Sequence, residues 1–475
     1  MPEVLDAPQR ALNVRALLNH SARVTKVRAR APLRLGFAGG GTDVSPYSDT
    51  FGGCVLNATI GMFAHCSIEV RSDQMVKFVA LDYEEEVEAH TDADIAPSGP
   101  LALHKAVYRR IVRQYLGGAC LPVTVMTASD APAGSGLGSS STLVVAMIEA
   151  YRELLALPLG EYDVAHLAYV IEREDVGQAG GRQDQYAATF GGINFIEFSA
   201  GQAIVNPLRI RQSTLRELEA MLVLYLTGIS RESAKIIAQQ SATLRSGHEV
   251  ALQAMHQIKR EAYVMKDALL HNDLLAFSDT LGRSWQAKKL TAAGITNTEI
   301  NRIHDVALSA GALSGKVSGA GGGGFLFFMV APERRPRLLQ ALAREPGLTM
   351  PLLLHRRRRT GLACLACAAR HLLLALARLR HALEDRFGVQ DGLLLAPLVI
   401  VSHERVLRLR LLRCTGGDAG KGETGEQQAH FPQSIGPRPT VLAGPDTPCQ
   451  REVDDRGQAP AGGRRSAQKA TPPHV

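Results

Sequence analysis

The chain has 475 residues, 45% of them hydrophobic, and a formal charge of +7, a length with room for two or three domains and sizeable cores. The positive surplus lies in residues 351–475, with 19 Lys and Arg against 11 Asp and Glu, while residues 1–350 hold 34 against 35, so the body of the chain is excluded as a basic nucleic-acid or membrane surface. No secretory leader and no apolar run of the roughly 20 residues that span a bilayer is visible, and seven cysteines without a disulfide pattern fit a cytoplasmic location.

Residues 1–23 show no clear period and are expected to form a flexible extension. Residues 27–38 then alternate like a strand and end in Gly39-Gly-Gly-Thr-Asp-Val-Ser-Pro46, a sharp polar turn. Asp43 in that turn is either a turn-forming residue or a carboxylate that accepts hydrogen bonds from adjacent hydroxyls of a ligand. Residues 54–70 and 75–90 read as further strands, and residues 100–115 as a helix.

Residues 121–127 alternate like a strand, and residues 143–155 have helical spacing. Between them runs Ser129-Asp-Ala-Pro-Ala-Gly-Ser-Gly-Leu-Gly-Ser-Ser-Ser-Thr142. Gly134, Gly136 and Gly138 remove side chains where backbone N–H groups can converge on an anion at a helix N-terminus, and a phosphate is the natural occupant. The hydroxyls of Ser139, Ser140, Ser141 and Thr142 are placed to cap the helix or to ligate a phosphate-bound Mg2+. The chain has no G-x-x-x-x-G-K-[ST], which excludes a P-loop. The G-x-G-x-x-G at Gly319, Gly321 and Gly324 precedes an apolar strand where a dinucleotide fold needs a helix, which excludes a Rossmann fingerprint.

Residues 162–175 read as a helix that opens into Val176-Gly-Gln-Ala-Gly-Gly-Arg-Gln-Asp-Gln-Tyr186. Strands are expected at 191–198, 204–210 and from 222, then a helix to about 243 and two helices within 252–281, broken near His271-Asn-Asp273. Gly315-Lys-Val-Ser-Gly-Ala-Gly-Gly-Gly-Gly324 is a second glycine-rich loop, followed by a strand at 325–330 and a helix at 333–343.

The strand, glycine loop and serine-tipped helix at 121–155 resemble the second motif of the GHMP kinases. Residues 31–47 resemble the first motif as sugar kinases carry it, and residues 315–324 the third. The resemblance covers residues 24–347 and implies an α+β, two-domain GHMP kinase fold. A ribosomal S5 domain 2-like N-terminal domain at 24–212 would bind nucleotide and sugar, and a ferredoxin-like C-terminal domain would occupy 213–347. It implies Asp184 as catalytic base and Mg2+ held by Ser140 and Glu172, with Glu174 and Asp175 as rival ligands in the same helix. ATP would be bound by Ser129, Pro132, Ala133, Gly134, Ser135, Gly136, Leu137, Gly138, Ser139 and Ser140. The acceptor would meet Arg34, Gly40, Gly41, Thr42, Asp43, Arg182, Gly321 and Gly322. Arg182 could lower the pKa of Asp184, grip an anionic substrate, or be a solvated loop charge.

Within the family, the stretches at 31–47 and 179–186 look most like the D-glycero-D-manno-heptose 7-phosphate kinases of bacterial surface-polysaccharide synthesis. Phosphorylation of the anomeric hydroxyl to the 1,7-bisphosphate is implied, with a fucokinase-like or other hexose 1-kinase, or a catalytically silent sugar- or nucleotide-binding relative, as alternatives. The expected partners are ATP and a sugar phosphate, with no nucleic acid or membrane, in a monomer or homodimer. Residues 348–475 hold 17 Arg and 2 Lys from residue 351 on among Leu, Ala, Pro and Gly without a sustained period. They are expected to be a disordered or non-native, possibly frame-shifted tail that leaves the fold without its usual final strand. Its best helix candidate is 363–387, and the Cys364-x-x-Cys367 pair there is weak evidence for zinc or redox chemistry.

Overall fold

The computed structural model describes residues 18–19, 24–132, 134–229 and 233–354, all within one compact unit. Most of the expected extension at 1–23, the loop residue Ala133, and the tail from 355 on, with its helix candidate at 363–387 and its Cys364 and Cys367, lie outside the described residues.

Two sheets organise the rest. The first is seven-stranded, in the order β4-β3-β5-β2-β6-β7, with β1 also paired to β2. Its strands are β1 (Lys26–Ala38), β2 (Gly53–Val70), β3 (Met75–Ala80), β4 (Glu85–His90), β5 (Val123–Ser129), β6 (Ile193–Ser199) and β7 (Gln202–Pro207). All pairings are antiparallel except β3 with β5. Its helices are α1 (Tyr47–Phe51), α2 (Ala102–Tyr115), α3 (Ser139–Leu155), α4 (Glu161–Val170) and α5 (Gln183–Phe190). Alternating apolar residues of β2 (Ala64, Cys66, Ile68), β3 (Val76, Phe78) and β5 (Val123, Val125) bury one face against the apolar faces of α2, α3 and α4.

The second sheet is antiparallel, in the order β11-β8-β10-β9. It comprises β8 (Leu222–Leu226), β9 (Ala312–Val317), β10 (Phe325–Val330) and β11 (Leu348–Met350), with helices α6 (Gln212–Met221), α7 (Ser233–Arg245), α8 (Glu249–Leu270), α9 (Leu274–Lys289), α10 (Thr298–Ser309) and α11 (Arg335–Leu342). One core joins the two sheets. Leu33, Leu35 and Phe37 of β1 pack with Leu222, Leu224, Phe277, Phe325 and Phe327, and Phe37 meets the rings of Phe277 and Phe327 edge-on at 5.3 and 5.9 Å.

Because β1 alternates, Arg34 points to the face opposite Leu33 and Leu35. The register of β1 on β2 shifts between Pro32 and Arg34 and again between Gly36 and Ala38, so irregular pairing brackets the segment that carries Arg34.

The sequence expectations differ from this fold in a few places. The single strand expected at 75–90 is a hairpin, β3 and β4, turned at residues 81–84. Helices α6 and α10 and strand β9 were not anticipated. The final strand is present: β11 pairs with β8 from Leu348 opposite Leu226 to Met350 opposite Leu224, and Leu354 bridges to Ile60. The sheet thus extends past residue 347, and β11 covers one edge of β8.

Candidate active site

The chain leaves β5 at Ser129 and turns into α3 at Ser139. Gly138, just before the helix, has φ 78° and supplies no side-chain cap, which leaves first-turn N–H groups for an anion. A Cβ there would lie 3.2 Å from Cγ and 3.3 Å from Oδ2 of Asp184. Glycine therefore lets the loop and the Asp184 carboxylate approach closely. The third motif supports this loop from behind. Ser318 Oγ donates to Gly136 O at 2.9 Å, Phe325 N donates to Ser135 O at 2.9 Å, and a Cβ on Gly319 would stand 2.7 Å from Gly136 O.

Helix α4 continues into a π-helical turn, Ile171–Asp175, a widened turn often found at functional sites. Val164, Ala168, Ile171 and Glu172 share its buried face. Glu172 is 1% exposed. Its Oε1 accepts from Ser140 Oγ at 2.7 Å, and its Oε2 accepts from Gln185 Nε2 at 2.5 Å. Gln185 Nε2 also donates to Ser141 Oγ at 3.0 Å, and the nearest guanidinium, that of Arg173, stands 3.9 Å from Glu172 Oε2. A buried carboxylate with mainly neutral partners beside a hydroxyl is an oxygen-only donor set that suits Mg2+. The rival carboxylates point elsewhere: Glu174 is exposed, and Asp175 is held by Arg110 through bonds of 2.8 and 2.5 Å.

At the other end of the same cleft, Asp184 lies in the first turn of α5. Its Oδ1 accepts from Arg34 Nε at 2.7 Å and is 2.6 Å from Nη2, while Arg34 Nη1 donates to Gly136 O at 2.7 Å. Arg34 thus ties the carboxylate to the glycine loop. Asp43 is 2% exposed; its Oδ2 accepts from the N–H groups of Arg182 and Gln183 at 2.9 and 3.0 Å, and its Oδ1 from Gly41 N at 3.1 Å. It holds the entry to α5 in place and, among the described residues, has one lone-pair site left over. Lys288 of α9 also lines the cleft, 4% exposed, with Nζ donating to Gly40 O at 3.0 Å. Burial pushes its ammonium down to about 8, against the attraction of Asp43.

The cleft brings together Arg34, Gly41, Asp43, Gly134, Ser135, Gly136, Gly138, Ser139, Ser140, Glu172 and Asp184. Other expected residues face away from it. Arg182 is not beside the Asp184 carboxylate: its guanidinium donates to Ser199 O at 2.8 Å and Gln202 O at 3.3 Å and covers the Phe198 ring, so the pairing imagined for it falls to Arg34. Thr42 is fully buried, with its hydroxyl engaged by Gly39 O, Cys54 O and Cys54 N. Leu137 is in the shared core, Ser129 Oγ donates to Ala131 O at 2.8 Å, and Pro132 is exposed. Gly40 backs Lys288, while Gly321 and Gly322 close against Ile295, leaving Gly319 and Ala320 to line the cleft.

Lys288 and Gln185 were not singled out from the sequence as site residues. A signal for Lys288 existed. Leu274, Phe277, Leu281, Trp285 and Lys288 follow the three-and-four spacing of the buried face of α9, and a lysine in that register needs a reason.

Comparison with known proteins shows the family. Residues 102–192 match the family described as GHMP kinases N terminal domain, and residues 265–347 that described as GHMP kinases C terminal. The chain is 48% identical over 322 residues to a D-glycero-alpha-D-manno-heptose 7-phosphate kinase of Campylobacter jejuni, covering 68% of this chain and 94% of that one. A crystal structure of a D-glycero-D-manno-heptose 1-phosphate kinase from Bacteroides thetaiotaomicron superposes with TM-score 0.60 at 40% identity, covering 71% of this chain and all (100%) of that one. An L-fucokinase/L-fucose-1-P guanylyltransferase of Bacteroides fragilis is 28% identical over 65% of this chain and 35% of its own length. With both family domains in place and near-complete coverage of a relative at 48% identity, the chain belongs to the GHMP kinase family and is an ATP-dependent sugar kinase.

Proposed function

We propose that the enzyme transfers the γ-phosphoryl group of ATP to a heptose phosphate, with the anomeric hydroxyl of D-glycero-D-manno-heptose 7-phosphate as acceptor and the 1,7-bisphosphate as product. The observation that carries this is the contact of the Asp184 carboxylate with Gly138 and Arg34, in one cleft with the Ser140–Glu172 pair. Asp184 orients the acceptor hydroxyl and takes its proton as the new O–P bond forms; the bond from the γ-phosphorus to the β,γ-bridging oxygen breaks, and ADP leaves. Arg34 holds the carboxylate in line with the loop until then. As the proton arrives on Asp184, the guanidinium is freed to meet charge on the transferred group. Mg2+ held by Ser140 and Glu172 would neutralise charge on the triphosphate.

The relatives named for a 7-phosphate and for a 1-phosphate substrate make the position of the acceptor's own phosphate the open choice, and the fucokinase relative makes L-fucose the runner-up acceptor. A coupled ADP-release assay over heptose 7-phosphate, heptose 1-phosphate, L-fucose, galactose and mannose, with phosphorus NMR of the product, tests the reading. The heptose 7-phosphate should give the highest kcat/KM and a new anomeric phosphate. A higher kcat/KM with any other acceptor overturns it.

A further inference from the structure

Among the described residues three cationic side chains line the cleft, and they differ in what neutralises them. Arg34 is 2.6 Å from Asp184, and Arg173 is 3.9 Å from Glu172. Lys288 forms no ion pair among the described residues: its Nζ makes one hydrogen bond, to the neutral Gly40 O at 3.0 Å. An ammonium carries three donors, and burying it with one satisfied is costly unless a ligand takes up the others.

Lys288 and Gln183, which both line the cleft, reach toward the same side of Gly40. The Cβ position of Gly40 is 3.6 Å from Lys288 Nζ and 3.7 Å from Gln183 Nε2, so two donors converge on one spot. Gln183 also has a buried Oε1 with no partner among the described residues. The cleft here is therefore polar, under-satisfied and next to Asp184.

We propose that Lys288 is an acceptor-binding residue whose ammonium, together with the Gln183 carboxamide, donates hydrogen bonds to sugar oxygens beside the hydroxyl held by Asp184. Its role is to set the orientation of the sugar before transfer. This rests on the reading of Asp184 as the base.

The charged groups around Lys288 are Asp43 from the loop after β1, Arg34 on β1, Asp184 on α5 and Lys316 on β9. Lys316 is spent on Gly36 O and Phe37 O at 3.1 and 3.2 Å. Burial, helped by Arg34, holds Lys288 down to about 8 against the opposing pull of Asp43 and Asp184. The cation is therefore present at neutral pH and lost as pH rises through about 8, which gives acceptor binding an alkaline limb.

The test uses the full chain, as wild type, Lys288→Met and Lys288→Arg, with initial rates over acceptor and ATP concentrations from about pH 6.5 to 9.5. Lys288→Met should lower kcat/KM for the acceptor about 10- to 100-fold, the loss of a charge-assisted hydrogen bond, with KM for ATP within about twofold of wild type. Lys288→Arg should retain much of the activity, and its alkaline limb should move up, because a guanidinium stays charged. An unchanged acceptor KM in Lys288→Met, or the same alkaline limb in Lys288→Arg, overturns the assignment of Lys288 while leaving the kinase reading intact. Absence of acceptor-dependent ADP release by the wild type, over the whole sugar panel, overturns the kinase reading itself.

Discussion

Lys288 carries a cost that its helix neighbours do not. Its usual ammonium pKa of 10.5 falls to about 8 on burial, so between these values the unfolded chain binds more protons than the folded one. The stability of the fold therefore rises with pH across that window, and the cost of the buried charge is greatest below about 8. Replacing such a charge with an apolar side chain of similar length is stabilising. Lys288→Met should be more stable than wild type at pH 7 by about 1–3 kcal/mol, with the gain shrinking as pH approaches 10.5. Urea denaturation at the two ends of that range checks it. Equal stability at pH 7 would show that the charge is compensated within the protein and would remove the physical reason for a ligand at this place. The residue scale also explains why Asp43 reads two ways. In the sequence it is a turn residue or a sugar ligand, and in the structure its three backbone contacts make it a strut for the loop that presents Asp184, with one acceptor position left.

At the scale of elements, the site depends on pieces that begin and end in the right places. Helix α3 starts where Gly138 allows it, the π-helical turn at the end of α4 brings Glu172 to Ser140, and α5 starts where Asp43 accepts its first N–H groups. The glycine loops were legible because each announces itself in local sequence. The Arg34–Asp184 pair was not, since 150 residues separate its members and no local pattern links them. Strand β11 was missed for another reason: three residues, Leu348-Thr-Met350, followed by Pro351, are too short to show a period. Yet β11 pairs with β8, and Leu352 and Leu354 beyond it are buried at 9% and 6% exposure. A chain ending after residue 354 should unfold at the same urea midpoint as the full chain. One ending after residue 347 should lose about 2–4 kcal/mol, the worth of two buried leucines and an opened sheet edge. Equal midpoints for the two truncations would show that β11 adds nothing to the fold.

For the whole molecule, the cleft is assembled at the seam between two sheets that share a core. Strand β1 supplies Arg34 to the cleft from one face and Leu33, Leu35 and Phe37 to that core from the other, and α9 supplies Lys288 to the cleft and Phe277 and Leu281 to the same core. Most element types were readable from periodicity and turn chemistry, and the fold class followed from the resemblance of the glycine-rich motifs to those of the GHMP kinases. The convergence of β1, α3, α5 and α9 on one cleft was not, because it is set by packing between residues far apart in the chain. That convergence sets Asp184 beside Arg34 and Gly138, which is what the proposed role of base requires. The most direct measurement is acceptor-dependent ADP release by Asp184→Asn beside wild type, with nucleotide affinity measured on both by calorimetry. The account predicts that kcat falls by about 10²- to 10⁴-fold, with nucleotide affinity within about threefold, since asparagine preserves shape but cannot take the proton. A variant that keeps kcat within about tenfold of wild type would contradict it.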